Sequence, residues 1–185
     1  MHVLNYYFTP FAVILILFAI FFSEPEKNVT YLSFGLLAAS FIVNYWLNSN
    51  IYRLMQYTRH IRGITVWINL LTSAVLFYLL FPYWAPMWLL FLTAPAAAAM
   101  FMKKWQVFLT AAAAAAVMLG IYLYKGMAFA MADAPAMTLA QAFSQAMEST
   151  QLWAVCATQA VFIIFFSMFT AAMAEMAVKV RDSMR

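Results

Sequence analysis

Six long apolar stretches, separated by short polar connections, make up most of this sequence. Each stretch is close to the ~20 residues that an α-helix needs to cross the hydrocarbon core of a bilayer. Their apolar residues follow one another without the alternation typical of membrane β-strands, and their alanine content favours helix. The sequence therefore predicts an all-α, polytopic integral membrane protein that forms a single transmembrane domain over 1–185. The predicted spans are 6–22, 29–47, 64–81, 84–102, 105–124 and 152–178.

The overall composition agrees with a protein dissolved in lipid. Hydrophobic residues make up 68% of the chain and charged residues 9%, whereas a soluble domain is about half apolar and a quarter charged. The lipid bilayer is therefore the expected main partner. All charged residues except Glu175 lie outside the predicted spans, in the connections or after the last span, and we expect no nucleic acid partner.

The basic residues are distributed unevenly over these connections. If the first loop faces outside, eight Lys and Arg fall on the cytoplasmic side and two on the outer side. Because cytoplasmic loops are enriched in Lys and Arg, this bias predicts six spans with both termini in the cytoplasm. The cytoplasmic set is Arg53, Arg59, Arg62, Lys103, Lys104, Lys179, Arg181 and Arg185, and the outer set is Lys27 and Lys125.

Two of the connections have helical patterns of their own. In 51–63 a polar residue recurs every third position, which predicts either an amphipathic interfacial helix or an extension of a neighbouring span. In the outer loop, Thr138-x-x-Gln141 is the pattern of a capping box and predicts a short helix through Met147. That helix would lie on the outer face as a lid or bridge two spans. Its apolar side would consist of Ala140, Phe143 and Met147.

Residues that commonly carry catalysis or bind metals are scarce. The only histidines, His2 and His60, lie outside the middle of any span, and Cys156 is the single cysteine. Haem and metal sites need several such ligands, so we predict no cofactor, no metal site and no enzymatic activity. Glu175 and Lys179 are spaced as an ion pair at i,i+4 near the end of the last span. They are the candidate relay residues.

Aromatic side chains are concentrated near the predicted outer ends of spans three and four. The four residues are Tyr78, Tyr83, Trp84 and Trp88. Trp and Tyr commonly form a belt at the membrane interface. The alternative is an aromatic-lined pocket for a small apolar ligand.

Small and polar residues inside the spans predict how the helices pack. Ala112, Ala116 and Gly120 form a small-xxx-small line, which we expect to lie at a close helix contact. Neutral polar residues are expected to form hydrogen bonds between helices. These are Asn44, Asn48, Asn69, Thr72, Ser73, Thr93, Gln159, Ser167 and Thr170.

The second half of the chain resembles the membrane input domains of bacterial sensor histidine kinases, in particular the six-helix receptors of the quorum-sensing type. The similar segments are Trp88-Leu-Leu-Phe, Lys103-Lys-Trp-Gln-Val-Phe, Tyr122-Leu-Tyr and the charged helix from Glu175. The resemblance implies a multi-pass sensor of the bacterial cytoplasmic (inner) membrane, whose last helix carries the signal out of the membrane. No phosphoacceptor histidine motif or nucleotide-binding region is present, so we expect the output to belong to a partner.

Two functions follow from these observations. The first is a membrane-embedded sensor or input module for signal transduction, which binds a small apolar ligand or responds to the state of the membrane. It would relay a shift of its last helix to a protein partner or a second copy. The second is an accessory or scaffold subunit of a bacterial membrane complex. A ligand pocket and a movable last helix would favour the first, and large contacts with other proteins would favour the second.

Overall fold

The computed structural model describes residues 2–50, 58–134 and 138–184. Every regular element within these ranges is helical, so the all-α prediction is confirmed for them. The elements in chain order are α1 (His2–Ser23), α2 (Lys27–Ser49), α3 (Thr58–Leu80), a 3₁₀ helix (Ala85–Leu92), α4 (Thr93–Ala99), α5 (Lys104–Asp133), α6 (Leu139–Glu148) and α7 (Thr150–Ser183).

Four of the helices are long and apolar enough to cross a membrane. They cover Lys27–Leu47, Ile61–Leu80, Lys104–Ala132 and Thr150–Ser183. The two remaining predicted spans contain shorter apolar helices, Thr9–Ser23 and Ala85–Ala99. Long apolar helices are therefore shown, whereas the count of six spans stays a prediction.

The predicted span 84–102 is not one continuous α-helix. It starts as a 3₁₀ helix with Pro86 in its first turn and changes to α-helix at Thr93. Pro95 has no N–H to donate to the carbonyl of Phe91, four residues earlier, and its ring clashes with that carbonyl in a regular α-helix. The two proline positions thus explain where the helix type changes. At rises of about 2.0 Å and 1.5 Å per residue the combined segment is roughly 26 Å long, close to the thickness of a hydrocarbon core.

The predicted span 105–124 is longer in the structure. α5 continues to Asp133, so Lys125 lies on a helix rather than in a loop. A single glycine at 126 costs a helix only about 1 kcal/mol, and the Ala- and Met-rich residues that follow it favour helix. The absence of a side chain at Gly126 also has a packing role, because a Cβ there would lie 3.4 Å from the Cβ of Ala146 on α6.

The short helix predicted after Thr138 is confirmed. Thr138 is the N-cap of α6, and its side chain accepts a hydrogen bond from the Gln141 amide. The Gln141 side chain in turn accepts a hydrogen bond from the Thr138 amide at 2.9 Å. In the other patterned connection, 51–57 lies outside the described residues. Residues from Thr58 to Gly63 are continuous with α3, which favours a helix extension for that part.

The 3₁₀ helix and α4 form the centre of the bundle. Between them they contact α1, α3, α5 and α7, whereas α6 packs on α5 and α2 packs between α1 and α3. Met87, Leu90 and Phe91 on the 3₁₀ helix are fully buried. The core therefore surrounds the segment that departs most from the sequence prediction.

The small-xxx-small line on α5 does not lie at a helix contact within the described chain. Ala116 and Gly120 are exposed, and a Cβ at Gly120 would meet no atom within 4 Å. The expectation of a close helix contact within the bundle is therefore wrong for Ala116 and Gly120, whereas Ala112 is half-buried. α5 instead buries a neighbouring face, formed by Val107, Ala111, Ala114, Ala115, Met118 and Tyr122.

The charged residues separate into two ends of the bundle. At one end, here called the basic end, the turn at 100–103 brings Lys103 and Lys104 beside the end of α7. At the opposite end, here called the far end, Lys27 begins α2 and the Nζ of Lys125 lies 4.0 Å from the ring centre of Tyr78. The structure thus groups Lys103 and Lys104 with Lys179, as the charge pattern predicted.

Candidate functional site

An ion-pair network joins α5 to α7 at the basic end. The Glu175 carboxylate contacts the ammonium of Lys104, the first residue of α5, and lies 3.1 Å from the ammonium of Lys179. The second contact is the predicted i,i+4 relay pair. The first was not predicted, and it joins the start of α5 to the last helix.

A cleft of about 480 Å³, here called the basic cleft, opens beside this network. One wall is the turn between α4 and α5, and the other is the last part of α7. Its lining combines small or apolar side chains with charged ones. The lining residues are Ala99, Met100, Phe101, Met102, Lys103, Lys104, Ala171, Ala174, Glu175 and Val178.

Of the predicted cytoplasmic basic face, the described residues contribute three members to this region. Lys103 and Lys104 line the basic cleft, and the guanidinium of Arg62 lies 5.9 Å from the ring centre of Phe101, another lining residue. Arg53 falls outside the described residues, and so does the side chain of Arg59. The structure therefore concentrates positive charge around one concave surface.

At the far end, α6 is attached to the start of α7. The indole N–H of Trp153 donates a hydrogen bond to the carbonyl oxygen of Ala146 at 2.9 Å. Ser149 alone separates α6 from α7. α6 is therefore joined to α7 both by the chain and by a side-chain hydrogen bond.

α6 turns an apolar face outward. Leu139, Phe143 and Met147 are exposed at spacings of four residues, whereas Ala142 is buried. An amphipathic helix with large apolar side chains on its free face suits a membrane interface. Of the predicted apolar side, Phe143 and Met147 lie on this exposed face, and Ala140 is exposed too.

In the described part of the chain, the four aromatic residues of the predicted pocket each contact a different neighbour, and the pocket itself stays a prediction. The ring of Trp84 packs at 6.0 Å from Phe18 on α1, and that of Trp88 at 5.7 Å from Phe162 on α7. Tyr78 packs against Tyr124 and Lys125 on α5. The Tyr83 carbonyl accepts a hydrogen bond from the hydroxyl of Ser23. Their contacts connect α1, α3, α5 and α7.

A second aromatic group, not predicted as a unit, fills the core between α3, the 3₁₀ helix and α5. Its members are Phe77, Phe81, Phe91 and Tyr122, with ring centres 4.5–5.4 Å apart. The Tyr122 hydroxyl donates a hydrogen bond to the side-chain oxygen of Gln159 on α7 at 3.0 Å. This group therefore links four elements.

Two buried asparagines join α2 to α3. The Asn44 amide donates to the side-chain oxygen of Asn69 at 2.9 Å, and the Asn69 amide donates to the Thr65 carbonyl at 2.8 Å. The Thr72 hydroxyl lies 2.9 Å from the Ile68 carbonyl in its own helix and 3.2 Å from the hydroxyl of Ser40 across the same interface. These bonds confirm Asn44, Asn69 and Thr72 as interhelical hydrogen-bonding residues.

Two further polar residues of the predicted set bridge elements, and three do not. Ser73 donates to the Leu90 carbonyl at 3.2 Å, and Gln159 receives the Tyr122 hydroxyl. Three hydroxyls bond carbonyls within their own helical segment, which corrects the expectation of interhelical bonds for them. These are Thr93, Ser167 and Thr170. The side chain of Asn48 lies outside the described residues.

Within the described ranges, no three His, Cys, Asp or Glu side chains are grouped closely enough to hold a metal ion. The arrangement offers a positively charged cleft at one end of the bundle and an exposed apolar helix face at the other. No family model, no curated protein and no solved structure matches the chain. The resemblance to sensor kinase input domains stays a prediction.

Sequence reasoning missed the pairing of Lys104 with Glu175 and the aromatic core group. The residues of each set are far apart in the chain, so their contact depends on helix packing rather than on local spacing. One signal was available for the first. Glu175 is the one acidic residue within the predicted spans, and a carboxylate in that position favours a basic partner on a neighbouring helix.

Proposed function

We propose that this chain is a non-enzymatic, membrane-embedded input module of a bacterial cytoplasmic membrane, with six spans and with the basic end and both termini in the cytoplasm. α6 responds to the state of the outer leaflet, or to a small apolar molecule dissolved in it. α7 relays the response to a protein partner or a second copy. One observation carries the proposal: α7 is unbroken and is bonded to α6 at the far end and to α5 at the basic end.

The dimensions of α7 suit a relay. Its 34 residues correspond to roughly 51 Å of α-helix at about 1.5 Å per residue, which exceeds the ~30 Å hydrocarbon core. A rigid helix of this length carries a displacement from one side of the membrane to the other. The ion pair at its end is exposed to solvent, and exposed ion pairs are weak, so a small displacement suffices to exchange its partners.

The relay requires that α7 can occupy two positions and that the membrane stabilises one of them more than the other. A stimulus shifts such an equilibrium only through its differential interaction with the two states. The exposed apolar face of α6 supplies that difference. When the outer leaflet thins or its packing changes, the depth at which Phe143 and Met147 are buried changes with it. α6 then pulls on α7 through Trp153.

Distance measurements between spin labels test this relay. The background variant is Cys156→Ala, and the labels replace Leu109 on α5 and Met176 on α7, which are both exposed. In phosphatidylcholine vesicles of shorter and longer acyl chains, we expect the distance to change by about 1–2 Å or more, the size of typical helix shifts. Labels at Leu109 and Trp67 on α3 form a matched control pair whose distance stays constant.

The coupling variant is Trp153→Phe, which keeps an aromatic ring and removes the N–H donor. We expect it to reduce the change between the α5 and α7 labels and to leave the control pair unaffected. A distance that is constant in every bilayer would contradict the relay. Equal changes in both label pairs, or an undiminished change in Trp153→Phe, would do so as well.

One observation favours the second candidate, an accessory subunit. α2 carries a shallow groove of about 770 Å³ that contains Gly35, and a Cβ at Gly35 would meet no atom within 4 Å. Small residues at such a surface permit close approach of another helix. Purification of the intact chain in mild detergent tests this reading. A constant set of other subunits that is lost in Gly35→Leu would support it, and isolation of the chain alone would contradict it.

A further inference from the structure

We propose that the basic cleft is a binding site for an anionic phospholipid, with the phosphate at Lys103 and Lys104 and the upper part of an acyl chain along the apolar wall. The site is independent of whether the chain is a sensor or an accessory subunit. The composition of the chain predicts contact with the bilayer in general, whereas this proposal names one class of lipid for one surface.

The electrostatics of the cleft favour an anion. Lys103 and Lys104 line it together with Glu175, and Lys179 pairs with that carboxylate. Three ammonium groups against one carboxylate leave two positive charges. Within the described residues, Lys103 has no carboxylate within ion-pairing distance. α5 begins at Lys104, so the positive end of its helix dipole adds to the same field.

The remaining lining distinguishes a lipid from a free phosphate ion. Met100, Ala171, Ala174 and Val178 form an apolar wall beside the lysines, and Met100 is largely exposed. A soluble anion gains nothing from such a wall. A phospholipid places its headgroup at the lysines and buries its acyl chain against the methionine and alanine side chains, so the two halves of the cleft match the two halves of one molecule.

The position of a tryptophan indicates that the cleft lies at the right depth. Trp105 directly follows the lysine pair, is 66% exposed and stacks on Phe108. Exposed tryptophans of membrane helices concentrate at the level of the lipid headgroups. Lys103 and Lys104 therefore lie at headgroup level, where juxtamembrane basic residues attract anionic lipids.

Glu175 competes with the lipid phosphate for the same ammonium groups, since its carboxylate contacts both Lys104 and Lys179. Replacement by glutamine removes this competition and leaves the size of the side chain almost unchanged. If the network had only a structural role, Glu175→Gln would lower the melting temperature and leave the lipid preference unchanged. The lipid site predicts a gain in affinity for anionic lipid.

Native mass spectrometry of the purified chain in mild detergent provides the test, with phosphatidylglycerol and phosphatidylcholine titrated separately. One basic residue near an anionic headgroup increases binding by about fivefold. We expect the parent to prefer phosphatidylglycerol by at least about fivefold, and Lys103→Gln to lose about that factor. Glu175→Gln should increase the preference.

The matched control is Lys27→Gln. Lys27 begins α2 at the far end, as Lys104 begins α5 at the basic end. This variant should leave the preference for phosphatidylglycerol unchanged.

Thermal melting in phosphatidylcholine alone confirms that each variant is folded, so that a loss of lipid preference is not a loss of structure. Equal binding of both lipids by the parent would overturn the proposal. So would an equal loss in Lys27→Gln and Lys103→Gln, because the attraction would then be non-specific. Displacement of phosphatidylglycerol by inorganic phosphate at comparable concentration would identify a soluble-anion site and would also overturn it.

Discussion

The asparagine pair between α2 and α3 permits the sharpest test of the packing. Asn69 is fully buried and Asn44 is 3% exposed. Asn69→Ala removes the 2.9 Å bond and leaves the Asn44 amide with the Ser40 hydroxyl at 3.5 Å as its remaining partner in the described structure. A hydrogen bond inside a membrane protein contributes about 0.6 kcal/mol on average and up to about 1.7. A buried polar group left unpaired costs about 1–3 kcal/mol.

We therefore expect each single variant, Asn44→Ala or Asn69→Ala, to lower the free energy of unfolding by about 2–3 kcal/mol. The double variant leaves no unpaired amide, so it should cost little more than one single variant, with a coupling energy of about 1–2 kcal/mol. Unfolding by titration with a denaturing detergent measures all three. Ser167→Ala is the control, because this buried hydroxyl bonds the Ile163 carbonyl within α7 and its removal should cost less than about 0.5 kcal/mol. Additive single costs would refute the reasoning.

Two further predictions concern α5. Ala114 is fully buried and Ala116 is exposed, so Ala114→Leu should lower the free energy of unfolding by about 1–3 kcal/mol through overpacking, whereas Ala116→Leu should change it by less than about 0.5. Thermal melts of both variants in one detergent check this, and equal melting temperatures would show that Ala114 does not face the core. At Gly126, where a Cβ would already lie 3.4 Å from Ala146, Gly126→Leu should detach α6 and expose the Ala142 amide to hydrogen exchange, whereas Gly126→Ala should not. Unchanged exchange in Gly126→Leu would show that α6 does not pack on this glycine.

The sequence predicted helices well because its signals for them are local. A long apolar run requires internally satisfied backbone hydrogen bonds in lipid, and the capping box at Thr138 depends on four consecutive residues. The pairing of Glu175 with Lys179 is local too. The predicted span 84–102 contains Pro86 and Pro95, but the sequence did not predict the 3₁₀ helix, whose Leu90 carbonyl accepts a hydrogen bond from the Ser73 hydroxyl on α3.

The face that each helix buries could not be predicted in the same way. Lipid and protein core are both apolar, so hydropathy does not distinguish a residue facing lipid from one facing another helix. On α5 the buried Ala114 and the exposed Ala116 are chemically identical. The contact of Lys104 with Glu175 and the aromatic core group likewise depend on how distant segments pack. The candidate site at the basic end is therefore a result of the structure.

The most direct test of the account is the side of the membrane on which each end of the bundle lies, since the relay requires α6 on the outer side and the basic end in the cytoplasm. In a Cys156→Ala background, single cysteines replace Lys27 at the far end and Lys103 at the basic end, and intact cells are treated with a membrane-impermeant maleimide. The account predicts that Lys27→Cys is labelled in intact cells and that Lys103→Cys is labelled only after permeabilisation. Labelling of Lys103→Cys in intact cells would contradict it.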